Sequence, residues 1–363
     1  MKVAIIFATD GSDGEDAIVA PFVSAGFIDG LRHNGVEPVL ISVAPDHDGA
    51  AGGRVQPGSP LLRCARDGLA ALIVGERPDA IQTFGPEHRL AAIWSLAADQ
   101  PLGHCVSCWR GDDAEASAFA MLSLAAARMK RASRHIDGLI GTSRAAVGRL
   151  IADGWFPDAA FSVILPPPVE RSGVAAAVPG PHAADPVFGI YDPLASPDLV
   201  AFASHAIDLT GRRDAVRMKI AVRNPTIGGG PVSFVAAAGV DAFLSAVDVL
   251  VVPAYDDSIA QAVIAALQSG KSVIVPDRSG AAELIEYGRH GLMFAAGSAY
   301  HLANAMNLVS QSWSQTPVLL AEGGPAIART DPAADAQSFA AVYRRLVSAH
   351  ASERDDARGF SHG

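Results

Sequence analysis

Apolar residues in this chain fall into short unbroken runs, separated by longer stretches in which they recur at helical spacing. The first run, 3–8 (V-A-I-I-F-A), has no polar position, as in a parallel strand covered on both faces. Similar runs predict strands at 36–43 (V-E-P-V-L-I-S-V), 79–84, 101–107, 137–142 and 161–165. Further strands follow at 187–190, 218–222, 232–238, 248–253 and 270–277. Helical spacing predicts helices over 15–33, 61–74, 90–98, 119–131 and 144–153, then over 197–209, 241–246, 259–267, 299–309 and 334–349. Strand and helix alternate throughout, so the expected class is α/β with parallel sheets.

The alternation is interrupted once. Pro166, Pro167 and Pro168 open a stretch dense in Pro, Ala and Gly with little periodicity, which reads as a domain linker. The expected division is a first Rossmann-like domain over 1–170, a linker over 171–185 and a second domain over 186–335. A helix over 336–350 returns to the first domain, and a charged, disordered tail covers 351–363. Ser143 is placed to cap the helix that follows it, and Gly270 to end another.

A length of 363 residues with 50% hydrophobic composition is enough for two such cores. No apolar run approaches the ~20 residues that span a bilayer, and Met1 and Lys2 lead directly into a strand, so a cytoplasmic protein is expected. The formal net charge of -10 argues against a nucleic-acid partner. One local basic run, 128–135, is a candidate for peripheral membrane contact, although such a run reads first as the solvated end of a helix. Cys64, Cys105 and Cys108 are too few for a disulfide framework. The C-x-x-C at 105–108 lies on a strand, where its two side chains point to opposite faces, so buried thiols are expected rather than a metal pair. Neither a metal nor a cofactor is implied.

Candidate chemistry concentrates at strand ends. Gly11 and Gly14 follow the first strand and permit close backbone approach to a ligand. Pro253 stops the 248–253 strand, and Asp256, Asp257 and Ser258 stand directly ahead of an apolar helix. The N-H groups of Ser258, Ile259 and Ala260 would there offer an anion both donors and a positive dipole end. This turn is a candidate phosphate seat.

The same run resembles the C-terminal half of the GT-B retaining glycosyltransferases, the nucleotide-sugar-dependent enzymes of bacterial polysaccharide and lipopolysaccharide synthesis. The family pattern P-S-x-x-E-G-F-G, then A-M-A-x-G-x-P-V-I, then G-G-x-x-E is met here by P-A-Y-D-D-S-I-A (253–260), A-A-L-Q-S-G-K-S-V-I (265–274) and S-G-A-A-E (279–283). Earlier framework stretches at 131–143 and 163–170 match as well. The resemblance implies two Rossmann-like domains facing each other across a cleft, the GT-B arrangement. It further implies transfer of a sugar from a nucleotide-sugar donor to a saccharide or lipid-linked acceptor. Asp257 and Glu283 fall at the family's carboxylate positions. Gly11, Gly14, Ser258, Ile259, Ala260 and Gly280 fall at its donor-binding positions.

Several positions depart from the family pattern. Asp257 is one methylene shorter than the usual Glu, and Ala265 replaces the second Glu. The two cations that face the donor diphosphate fall on Tyr191 and Ser196, leaving Arg223 as the candidate substitute charge. The H-x-H-G stretch appears as Q-T-F-G (82–85), and the histidine of the following strand as Ser107, with His104 read as a core or edge histidine. A catalytically degenerate protein that binds a nucleotide, glycan or partner is therefore the alternative to an active transferase.

Overall fold

The computed structural model describes residues 1–8, 22–44, 61–85, 103–108, 130–165, 185–191, 197–213, 215–222, 232–236, 239–253, 260–285, 291–313 and 332–359. The chain divides into two units, one of residues 1–170 with 331–363 and the other of 171–330. In the first lie strands β1 (Lys2–Ala8), β2 (Glu37–Ala44), β3 (Leu61–Ala65), β4 (Ala80–Gly85), β5 (Gly103–Cys108), β6 (Gly138–Gly141) and β7 (Phe161–Ile164), with helices α1 (Ala25–His33), α2 (Arg66–Glu76) and α3 (Arg144–Ala152). In the second lie β8 (Val187–Tyr191), β9 (Arg217–Val222), β10 (Val232–Ala236), β11 (Val249–Val251), β12 (Ser272–Pro276) and β13 (Gly291–Phe294). Its helices are α4 (Pro197–Leu209), α5 (Val240–Ser245), α6 (Ala260–Gln268) and α7 (Ala299–Ser312). The last helix, α8 (Pro332–Gly359), belongs to the first unit.

Both sheets are parallel. The first runs β3-β2-β1-β4-β5-β6-β7 and the second β10-β9-β8-β11-β12-β13, each reversing direction once about its first strand in sequence. Two-sided burial follows from the apolar runs. Val3, Ile5 and Phe7 of β1 join Phe27, Leu31 and Phe339 in one core, while Ala4 and Ile6 join Leu69, Ile73 and Leu139 in the other. In the second unit, Phe188, Val249 and Ile274 face α4 and α7, whereas Leu250, Val273 and Val275 face α5 and α6.

An acidic residue just ahead of three central strands closes the amino-terminal end of each ladder. The Lys2 amide donates to Asp79 Oδ2 at 2.7 Å, the His104 amide to Asp137 Oδ2 at 2.7 Å and the Val187 amide to Asp248 Oδ2 at 2.9 Å. Each aspartate's own amide donates back to the carbonyl of the same residue. Charge-assisted bonds of this kind are shorter and stronger than neutral ones and help to hold the strand register.

Several elements depart from the sequence expectation. Residues 61–65 form β3 rather than the start of a helix, because Leu61 to Ala65 pair in register with Leu40 to Ala44 at the sheet edge. β13 is only four residues long, too short to show a period. The final helix starts at Pro332, four residues before the expected boundary, since proline is accepted in a helix's first turn. It continues to Gly359 where a disordered tail is expected. No Gly or Pro interrupts 333–358, and Ala, Glu and Arg sustain the helix. The first part of the 15–33 helix, the 90–98 helix and nearly all of the 119–131 helix lie outside the described residues, as does the linker up to residue 184.

Helix caps follow the local sequence. Ser24 Oγ accepts from the Phe27 amide at 3.3 Å and Ser143 Oγ from the Ala146 amide at 3.0 Å. Gly270 ends α6 with φ of 68°. Among the described residues no helix is long and apolar enough to cross a membrane.

Candidate functional site

In the second unit the strand order reverses between β8 and β11, and a parallel sheet opens its ligand crevice beyond the carboxyl ends of the strands at such a point. Chain connectivity puts the segment 254–259, with Asp257, Ser258 and Ile259, between β11 and α6. Arg223 directly follows β9, and Gly11 and Gly14 follow β1 at the corresponding reversal in the first unit. These six residues lie outside the described ones.

The described part of the site is built by α6 and the turn after β12. Ala260 is the first residue of α6, whose initial N-H groups have no intrahelical acceptor. The turn is a short 3-10 helix, Gly280–Leu284, with Gly280 buried at its head and Glu283 exposed within it. Ser279 fixes it: its Oγ donates to the Pro276 carbonyl at 2.8 Å, and its own carbonyl accepts from the Ala282 amide at 3.1 Å. The α6 helix packs on this turn, with Val263, Ala266, Ala281 and Ile285 in one core. Ala260, Gly280 and Glu283 are thus held by elements on one face of the sheet, at the carboxyl side of β11 and β12.

Tyr191 ends β8 and packs against that same core. Its ring meets Phe243 at 5.5 Å between centroids, and burial raises the phenol pKa, so it stands as a neutral hydroxyl. A Cβ on Gly189 would meet the Phe243 ring at 2.8 Å, so glycine in β8 is what lets α5 approach closely enough to brace Tyr191.

In the first unit Gln82 and Thr83 of β4 and His104 of β5 are core residues, while the side chains of Ser107 and Cys108 lie outside the described ones. The Tyr343 hydroxyl of α8 donates to Gln82 Oε1, and both side chains are fully buried. Thr83 Oγ1 lies 3.3 Å from His104 Nε2, and among the described residues His104 Nδ1 has no partner. Burial first, and the neighbouring His135 second, lower the His104 pKa to about 3, so this imidazole is neutral near pH 7. The Cys105 thiol is fully buried and pushed up by that burial, which leaves it unreactive. Of the basic run, Lys130 donates to the Asp153 carbonyl at the end of α3 and lies over the Trp155 ring, whereas Arg131 and Arg134 are exposed. Among the described residues no group of three or more His, Cys, Asp or Glu side chains is placed to hold a metal ion.

Residues 205–312, which include α5, β11, α6 and the Gly280–Leu284 turn, match the family of glycosyl transferases group 1. A sucrose-phosphate synthase from Thermosynechococcus elongatus superposes with a TM-score of 0.70 at 15% identity, over 96% of this chain and 100% of that one. The chain has the GT-B glycosyltransferase fold. A glycosyltransferase from Rickettsia africae shares that fold at a TM-score of 0.65 and 10% identity, over 95% of this GT-B chain and 99% of its own. HepE of Anabaena, solved with UDP-glucose, does so at 0.62 and 14%, over 97% and 99%. No curated protein matches the chain.

Proposed function

We propose that this GT-B protein is a cytoplasmic transferase that moves a sugar from a nucleotide-sugar donor to a saccharide or lipid-linked acceptor in glycan synthesis, with the anomeric configuration retained. The observation that carries the reading is the gathering of the α6 N-terminus and the Gly280–Leu284 turn on one sheet face, beside the strand-order reversal and within the matched segment. HepE, of the same fold, was solved with UDP-glucose, which makes a uridine nucleotide the first donor to try.

In the proposed arrangement the Ser258, Ile259 and Ala260 amides receive the donor diphosphate, and Arg223 supplies the positive charge. Gly11 and Gly14 permit close backbone approach to a ligand after β1. Asp257 accepts hydroxyl hydrogen bonds, and Glu283 holds the transferring sugar against Gly280. Charge that develops on the leaving diphosphate then meets preoriented amides and the guanidinium, and stabilisation of this kind is the largest catalytic contribution in such reactions.

A second reading is a binding protein without turnover. It is favoured by Gln82, which stands in a stretch the family uses at its active site and is here buried and bonded to Tyr343. Sugar release from nucleotide donors by the wild type, Asp257→Ala and Glu283→Ala decides between them. A transferase loses activity in each variant by about 100-fold or more. Equal traces of release in all three select the binding protein; absence of nucleotide binding by calorimetry at millimolar ligand defeats the transferase and leaves only glycan or partner binding.

A further inference from the structure

Tyr191 is the last residue of β8, the strand about which the order of the second sheet reverses, with β9 on one side and β11 on the other. Side chains alternate along a strand, so Phe188 and Ile190 enter the core under α4 and α7, whereas Gly189 and Tyr191 face α5 and α6. A parallel sheet opens its crevice at such a reversal, beyond the carboxyl ends of the strands. Tyr191 therefore stands at the mouth of that crevice, on the face that carries α6 and the Gly280–Leu284 turn, at the end of the strand paired with β11. Its side chain is half-buried, and its ring is anchored by Phe243. The hydroxyl is uncommitted: among the described residues it has no hydrogen-bond partner, and it is not one of the polar atoms closed off from solvent.

We propose that the Tyr191 hydroxyl donates a hydrogen bond to a phosphate oxygen of the nucleotide-sugar donor, and so recognises the diphosphate by contact rather than by charge. The inference rests on the donor site proposed above. A group seated at the α6 N-terminus offers acceptor oxygens only, to which a hydroxyl is a matching donor. Because the acceptor is ionised, the bond is stronger than one between neutral groups. Phe243 and the close approach of α5 over Gly189 already hold the ring, so little side-chain freedom is lost when the bond forms. Burial raises the phenol pKa, which keeps the donated proton in place at neutral and mildly alkaline pH. A cation at this position would draw the diphosphate through a field that salt screens, whereas a hydroxyl acts only within hydrogen-bond distance.

Calorimetric titration of the full chain with UDP, GDP and ADP selects the tightest-bound nucleotide, which then probes the variants. Tyr191→Phe removes only the hydroxyl and is expected to weaken binding by about tenfold. Its thermal melt without nucleotide is expected to match the wild type, because among the described residues the hydroxyl bonds nothing. Tyr191→Arg puts a cation at the strand end and is expected to steepen the fall of affinity between about 50 and about 500 mM salt. Tyr300→Phe, which removes the same group from an exposed tyrosine of α7, is expected to leave affinity unchanged. Wild-type binding that Tyr191→Phe preserves overturns the proposal and leaves the donor site standing. So does a Tyr191→Phe protein whose melt falls together with its affinity, since the hydroxyl would then be structural, or a folded Tyr191→Arg protein with the salt dependence of the wild type. If none of the three nucleotides binds the wild type at millimolar concentration, the donor site itself fails and the assignment of Tyr191 fails with it.

Discussion

His104 is only 2% exposed and remains neutral in the folded chain, with its pKa lowered to about 3. An unfolded histidine titrates near 6.5, so between about 6.5 and about 3 the unfolded chain binds a proton that the folded chain refuses. Stability is therefore complete above about pH 6.5 and is lost as pH falls through that window, by up to about 1.4 kcal/mol per pH unit from this group. Urea denaturation from pH 7 to pH 4 measures the slope, and His104→Gln is expected to flatten it. Tyr343 is a second buried polar group with a structural role. Tyr343→Phe keeps the ring but removes the donor to Gln82, at an expected cost of about 1–3 kcal/mol in the same assay.

Among elements, β8 depends on what flanks it. Asp248 ties its first amide to the start of β11, and Asp248→Ala leaves the Val187 N-H without that acceptor. The expected loss is about 1–2 kcal/mol, read from the urea midpoint of the second unit. A larger effect is expected at Gly291 in β13, where a Cβ would lie 2.3 Å from the Val273 carbonyl oxygen. Backbone cannot yield as a side chain tip does, so Gly291→Ala should cost about 1–3 kcal/mol or more by displacing β13 from β12. If its midpoint matches the wild type, β13 is not held against β12 as described.

At the scale of the molecule, the first unit is assembled from both ends of the chain. Phe339, Tyr343 and Leu346 of α8 are buried in its core beside Phe27 and Phe22, with the Phe339 ring 5.4 Å from Phe27 and edge-on to it. Each such side chain contributes about 1.5–3 kcal/mol by burial, and three together rival the 5–15 kcal/mol that holds a whole domain folded. A chain ending at residue 331 is therefore expected to lose the calorimetric transition of the first unit and keep that of the second. Two transitions in the truncated chain would show that α8 is dispensable.

The sequence by itself determined the α/β class, most strands and the order of elements, because two-sided burial requires unbroken apolar runs and a helix core requires its own period. It also placed the caps at Ser143 and Gly270 and read His104 as a core or edge histidine rather than a catalytic one, and the fold settled it in the core. Only the tertiary structure decided that Leu61 to Ala65 form a strand, since their ladder partners lie about twenty residues away in β2. Likewise, only packing decided that Gln82 holds α8 through Tyr343: the two residues are 261 positions apart, and no local pattern carries that information. Tyr191 divides the two cases. Its departure from the family's cation was legible in the sequence, but its neutrality and its bracing by Phe243 arise from the close approach of α5 over Gly189.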